Sequence, residues 1–192
     1  MKKKQKKKIL NFGIFLFVAI LLFRRLEAMQ SISYQTYGIY GIDDLKEIAK
    51  ETAEKYSYGA NKDNLYKMLL ETAIVETNAG RAAMDTNRDY GRSIMQLDKV
   101  GYDEALRIRQ KKGDKNFEYE VYKGYMSDEL QKNPRFAMYL ARMFYLGKSE
   151  PIPSTLENRA LYWKRYYNTL LGAGSVEKYL DLVYNNLGKD WK

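Results

Sequence analysis

Residues 69–98 read LLETAIVETNAGRAAMDTNRDYGRSIMQLD, and the reading of this stretch decides the fold. Its first half is apolar, spaced like a helix, and ends in a carboxylate at Glu76. Its second half holds the turn formers Gly80, Asp85, Asn87, Asp89 and Gly91 and leads into the short apolar run Ser93-Ile94-Met95-Gln96-Leu97. The pattern predicts a helix, then a loop, then a small hairpin over 85–97 with Ser93 to Leu97 as one strand. Asn61 is placed to cap the helix, which is expected from Lys62 to Asn78.

Helical geometry separates the two glutamates of this stretch. Stepping about 100° per residue from Leu65, Thr72 and Glu76 both fall within about 20° of it, while Glu71 falls near about 240°, beside Lys67 at about 200°. Glu71 is therefore expected on the solvent side. Glu76 is expected on the inner face at the end of the helix, looking into a cleft. A carboxylate is costly to place there unless something partners or uses it.

Composition narrows the chemistry further. The 192 residues include no histidine and no cysteine. That excludes Ser-His-Asp and Cys-His nucleophiles, imidazole or thiolate zinc sites, and disulfides. Acid–base work then falls to Asp, Glu, Lys or Tyr, and a carboxyl raised by burial is the commonest solution. No cofactor and no metal is expected. Apolar residues at 45% and aromatics at 14% are enough for a packed core. The 18 tyrosines, against 7 phenylalanines, suit half-buried helix faces and equally the walls of a groove for a polar polymer.

The net charge of +9 is concentrated at one end. Residues 1–28 hold six lysines, Arg24 and Arg25 against Glu27, a net of +7, which leaves +2 for the remainder. A domain so weakly charged has no global attraction to phosphate backbones, and nucleic acid is not an expected partner. Ile9 to Phe23 is a fifteen-residue apolar run broken by Asn11 and Gly13. As a helix it spans about 22 Å against a hydrocarbon core of roughly 30 Å, with Lys8 and Arg24 placed to snorkel. Residues 1–28 thus read as a basic arm with a hydrophobic signal or anchor helix, Ala28 being a candidate processing site. The flanking charges favour a cytoplasmic N-terminus and an exported remainder, either membrane-anchored or secreted.

Residues 29–41 read as a linker and 42–192 as one mainly α domain. Ile42 opens a helix with Asp43 and Asp44 at its positive end. Asp103 to Gln110 has helical character, and Phe117 to Tyr125 is ambiguous. Asn133-Pro134 opens a helix that Gly147 closes. Ser154 or Thr155 caps the next, with Leu156, Ala160, Trp163, Tyr167, Leu170 and Leu171 on its inner face, until Gly172 to Gly174 break it. Ser175 caps the last, through about Asn186.

Three blocks then stand in a telling order: ETNAG at Glu76, SIMQLD at Ser93, and YYNTLLGAGSVEKYL at Tyr166. Together they resemble the lytic transglycosylases of the lysozyme superfamily, across roughly residues 42–187. The resemblance implies a lysozyme-like α+β fold with a small hairpin near the active-site loop. It makes Glu76 the catalytic acid and then base, with Thr77 keeping the hydroxyl of the family's serine. Met95 and Gln96 would line the groove, Tyr167 would bond or orient Glu76, and Asn168 would be a structural neighbour. Ser93 stands where the family has glycine, with Gly91 two residues earlier, and the glycine after tyrosine-asparagine is delayed to Gly172.

The reaction so implied is cleavage of the β-1,4 bond between N-acetylmuramic acid and N-acetylglucosamine in peptidoglycan. Glu76 would protonate the leaving oxygen and then take a proton from the sugar's own 6-hydroxyl, giving an anhydro product. The expected partners are peptidoglycan glycan strands and, through residues 9–23, a membrane. Three other readings stay open. One is a lysozyme-type hydrolase with Asp85 or Asp89 as second carboxylate. Another is a wall-binding or assembly protein with the same fold and no turnover. The third is a tethered helical interaction module in which Glu76 pairs with a buried arginine or lysine such as Arg81.

Overall fold

The computed structural model describes residues 18–24, 37–82, 91–114, 125, 128–169 and 172–192. Seven α-helices follow in order among them: α1 (Ile42–Lys55), α2 (Lys62–Thr77), α3 (Lys99–Lys112), α4 (Asp128–Lys132), α5 (Pro134–Leu146), α6 (Leu156–Trp163) and α7 (Val176–Leu187). A π-helical turn, Lys164–Asn168, continues α6. The protein is mainly helical, as the apolar periodicity predicts. Residues 18–24 are also helical and exposed. Among the described residues, no helix is long and apolar enough to cross a membrane. Residues 9–17 of the hydrophobic run lie outside them.

Most helix starts are fixed by the residues that the sequence nominates. The Asn61 side chain accepts from the Asn64 N–H at 3.0 Å, Asn133 from Phe136 at 3.0 Å, and Ser175 from Lys178 at 3.2 Å. Each fills an N–H that the first turn of a helix leaves without a partner. Thr155 rather than Ser154 caps α6. α3 begins four residues earlier than its apolar pattern suggests, because Asp98 caps it by accepting from the Gly101 N–H at 2.6 Å.

The core is built around α2 and α5. α2 packs on α1, α5 and α7, while α5 packs on α1, α2 and α3. α2 is consequently buried on nearly every side, from Leu65 through Leu69, Leu70, Ala73 and Ile74. This corrects the placement of Glu71. A helix enclosed by three others has no solvent side in its middle, and Glu71 is fully buried. Tyr37 and Ile39, within the stretch read as linker, are buried in the same core.

The expected hairpin differs as well. Among the described residues there is no strand, and one antiparallel bridge joins Arg92 to Leu97. Between them Ser93 to Gln96 form a turn closed by the Gln96 N–H donating to the Ser93 carbonyl at 3.1 Å. Ser93 and Gln96 both lie in the left-handed region, at φ 67° and 47°, which an extended strand cannot accommodate. Residues 83–90, which include Asp85 and Asp89, lie outside the described residues, as does most of Phe117 to Tyr125.

Candidate active site

Glu76 stands on the last turn of α2, one helical turn beyond Thr72. It forms part of the wall of a cleft of about 220 Å³, together with Gln96, Leu97, Asp98, Val100, Gly101, Phe144, and residues 166 to 169. The cleft therefore joins the end of α2, the 93–97 turn, the start of α3, the end of α5 and the π-turn. Successive residues of an α-helix point about 100° apart, so four in a row share one cleft only where a helix widens and ends. The π-turn does this at Tyr166, Tyr167, Asn168 and Thr169, and Thr169 at φ 65° ends it. The helix expected to run on through Leu171 stops here.

Burial pushes the Glu76 carboxyl up to about 7 from an ordinary 4.5. Two groups pull the other way. The Trp163 indole N–H donates to Glu76 Oε1 at 2.9 Å, and the Lys178 ammonium attracts the charged form. Desolvation outweighs both, because aromatic rings close around the site. Tyr145 and Tyr167 stack at 5.3 Å, and Phe144 meets Tyr167 edge-on at 5.4 Å. The result is a carboxylic acid half protonated near neutral pH and open to the cleft.

Four of the residues nominated by sequence converge on this cleft: Glu76, Gln96, Tyr167 and Asn168. Three more, Met95, Thr77 and Ser93, are buried. Met95 is fully buried. Thr77 is buried too, its hydroxyl donating to the Ala73 carbonyl at 2.8 Å and accepting from the Gly80 N–H at 3.0 Å. That clip holds a run of three left-handed residues, Asn78, Ala79 and Gly80, which turns the chain sharply at the end of α2. Ser93 is buried, and its N–H donates to Gln131 Oε1 at 3.1 Å. Its positive φ matches a position where glycine would be at ease.

Tyr167 departs from expectation. Its hydroxyl donates to the Met95 carbonyl at 2.5 Å instead of to Glu76. This bond ties the π-turn to the 93–97 turn. Arg81 also points elsewhere, donating to Asn186 Oδ1 at 2.6 Å, so pairing with Glu76 is not its arrangement.

No family model, curated protein or solved structure matches this chain. The site therefore stands on its own geometry.

Sequence reasoning missed two residues of the site, one behind the cleft and one in its wall. One is Trp163, the hydrogen-bond donor to Glu76, assigned only to the core because its helical spacing gives no hint of its indole N–H. Its position four residues before Tyr167, on the same helix face, was the available signal. The other is Asp98, quoted only as the last residue of the SIMQLD block. Its carboxylate caps α3 through one oxygen and lines the cleft.

A second cluster lies deeper along α2. The Glu71 carboxylate accepts from Arg159 Nε at 2.8 Å and Arg159 Nη2 at 2.7 Å, from the Tyr179 hydroxyl at 2.8 Å and from the Trp191 indole at 2.6 Å. Arg159 and Glu71 are both fully buried, so the pair is a bidentate interior ion pair joining α2, α6, α7 and the C-terminal segment. Tyr179 passes this order on toward the cleft by packing against the Trp163 ring at 5.3 Å.

Proposed function

We propose that this chain cleaves peptidoglycan glycan strands as a lytic transglycosylase of lysozyme-like fold, with Glu76 as the single acid and base. The observation that carries the reading is a carboxyl at the edge of a cleft, raised to about 7 by burial. A glycosidic oxygen is a poor leaving group until it is protonated, and an acid with such a pKa still holds its proton at working pH. Once the bond breaks, the resulting carboxylate accepts the proton of the muramyl 6-hydroxyl while that oxygen closes on the anomeric carbon. The product is an anhydro end, without attacking water or a second carboxylate.

The cleft walls support a sugar polymer. Phe144 and Tyr166 contribute aromatic rings to the wall, and Val100 is 76% exposed beside them. Gln96 gives its Nε2 to the Ser93 carbonyl at 2.7 Å, which leaves Oε1 free to accept from a sugar hydroxyl or acetamido N–H. The basic arm and the apolar run of residues 9–23 fit a domain held at the outer side of a cytoplasmic membrane, or released from it, facing the wall.

One observation favours a second reading. Asp98 lines the same cleft, where it could stabilise a glycosyl cation or hold a water, as a hydrolase requires. Mass spectrometry of products from purified walls separates the two. Anhydro ends that vanish with Glu76→Gln are the expected result. Reducing ends indicate hydrolysis, and no product removes the enzymatic reading in favour of wall binding.

A further inference from the structure

We infer that Trp163 is a positioning residue that decides which oxygen of Glu76 carries the proton. The inference rests on the proposed function, and its structural half can be tested without it. The indole N–H is a donor only, so the oxygen it meets, Oε1, must act as acceptor in both protonation states. A proton on Oε1 would face the N–H head-on. The acid proton is therefore confined to Oε2, which has no hydrogen-bond partner among the described residues and opens on the cleft. Proton donation needs this arrangement, because only a proton on the open oxygen can reach a leaving group.

The indole is itself held firmly. Trp163 is buried, packs on Tyr179, and lies under Gly174, where any Cβ would overlap its ring. This explains why glycine is needed in the loop before α7. Tyr179 is in turn fixed to Glu71, whose Arg159 partner comes from the same helix as Trp163. The other groups acting on Glu76 are Lys178 from α7, Tyr145 from α5 and Tyr167 from the π-turn, with Asp98 acting on the same Tyr167. None of them hydrogen-bonds to the carboxyl, and among the described residues the indole is its anchor.

The test reads the contact from both ends in the full chain. In the unaltered protein, the Trp163 indole ¹⁵N–H resonance should shift with pH through the Glu76 transition, and Glu76→Gln should abolish that shift. This arm requires no variant of Trp163 to fold. In Trp163→Phe, loss of a donor to the charged form should raise the Glu76 transition by about one pH unit or more. The basic limb of wall clearing should move up with it. Turnover should fall about ten-fold at unchanged KM, because the ring never touches the glycan. A role in packing alone would lower stability and leave the pH profile where it was. An indole resonance that is flat while Glu76 titrates overturns the inference. A titrating indole in a protein that clears no wall upholds the contact and overturns its catalytic use together with the proposed function.

Discussion

Glu71 and Glu76 leave the same helix within little more than one turn of each other and meet opposite surroundings. Glu71 is enclosed on all sides and satisfied by four hydrogen bonds, two of them from the Arg159 guanidinium. Glu76 is open on one side and receives a single neutral donor, so burial dominates and its proton is retained. The first site uses a charge to fix four segments together, and the second leaves a carboxyl in the wall of a cleft with its proton held by burial. What distinguishes the two carboxylates is thus the number and charge of the donors that meet them, four with a guanidinium among them at Glu71 and one neutral indole at Glu76.

The largest expected effect breaks the structural half of that contrast. Glu71→Gln strands the Arg159 charge in the interior, which typically costs about 3–5 kcal/mol. For a domain of this size the melting temperature should fall by about 10 °C, measured by circular dichroism. Wall clearing per folded molecule should change little. Loss of activity without loss of stability would mean that the two carboxyls act as one site.

Glu76→Gln should do the reverse. Clearing of purified walls should drop by about 10²-fold or more, as expected for removal of a general acid, while the protein stays folded. The same variant sharpens the comparison through pH. A group whose folded pKa is raised favours folding below its unfolded value, and that contribution is lost as pH rises through the folded value. The unaltered protein should therefore lose stability between about pH 4.5 and about pH 7, and Glu76→Gln should not. Above that window the variant should be the more stable by on the order of 1–2 kcal/mol in urea unfolding. A constant difference across the range would contradict the raised pKa.

The smallest effect concerns Tyr167→Phe. Removing its hydrogen bond to the Met95 carbonyl should cost about 1 kcal/mol of stability and leave the pH profile of activity unmoved. A shifted profile would indicate that the phenol engages Glu76 after all.

The helical plan was legible because caps and apolar stripes are local. Asn61, Asn133 and Ser175 each stand where a helix begins, and each does cap one. Glu76 was legible from its angle on α2 and from the absence of histidine and cysteine, which leaves carboxyls as the natural acids. Glu71 was misplaced for a non-local reason. Its angle beside Lys67 says nothing of Arg159, which approaches from a helix 88 residues away. Tyr167 was assigned to the right face and the wrong acceptor, because a widened π-turn rotates residues in a way that a 3.6-residue period does not carry. The 93–97 segment looks like a strand by its apolar content, yet two left-handed residues set by tertiary contacts make it a turn.

The most direct test is a titration of the Glu76 side-chain carboxyl by ¹³C NMR in the full chain, with the resonance assigned by its loss in Glu76→Gln. A midpoint near about 7 is the predicted result. A midpoint near the ordinary 4.5 would mean that Glu76 is already ionised at neutral pH, and it could not then serve as the proton donor of this cleft.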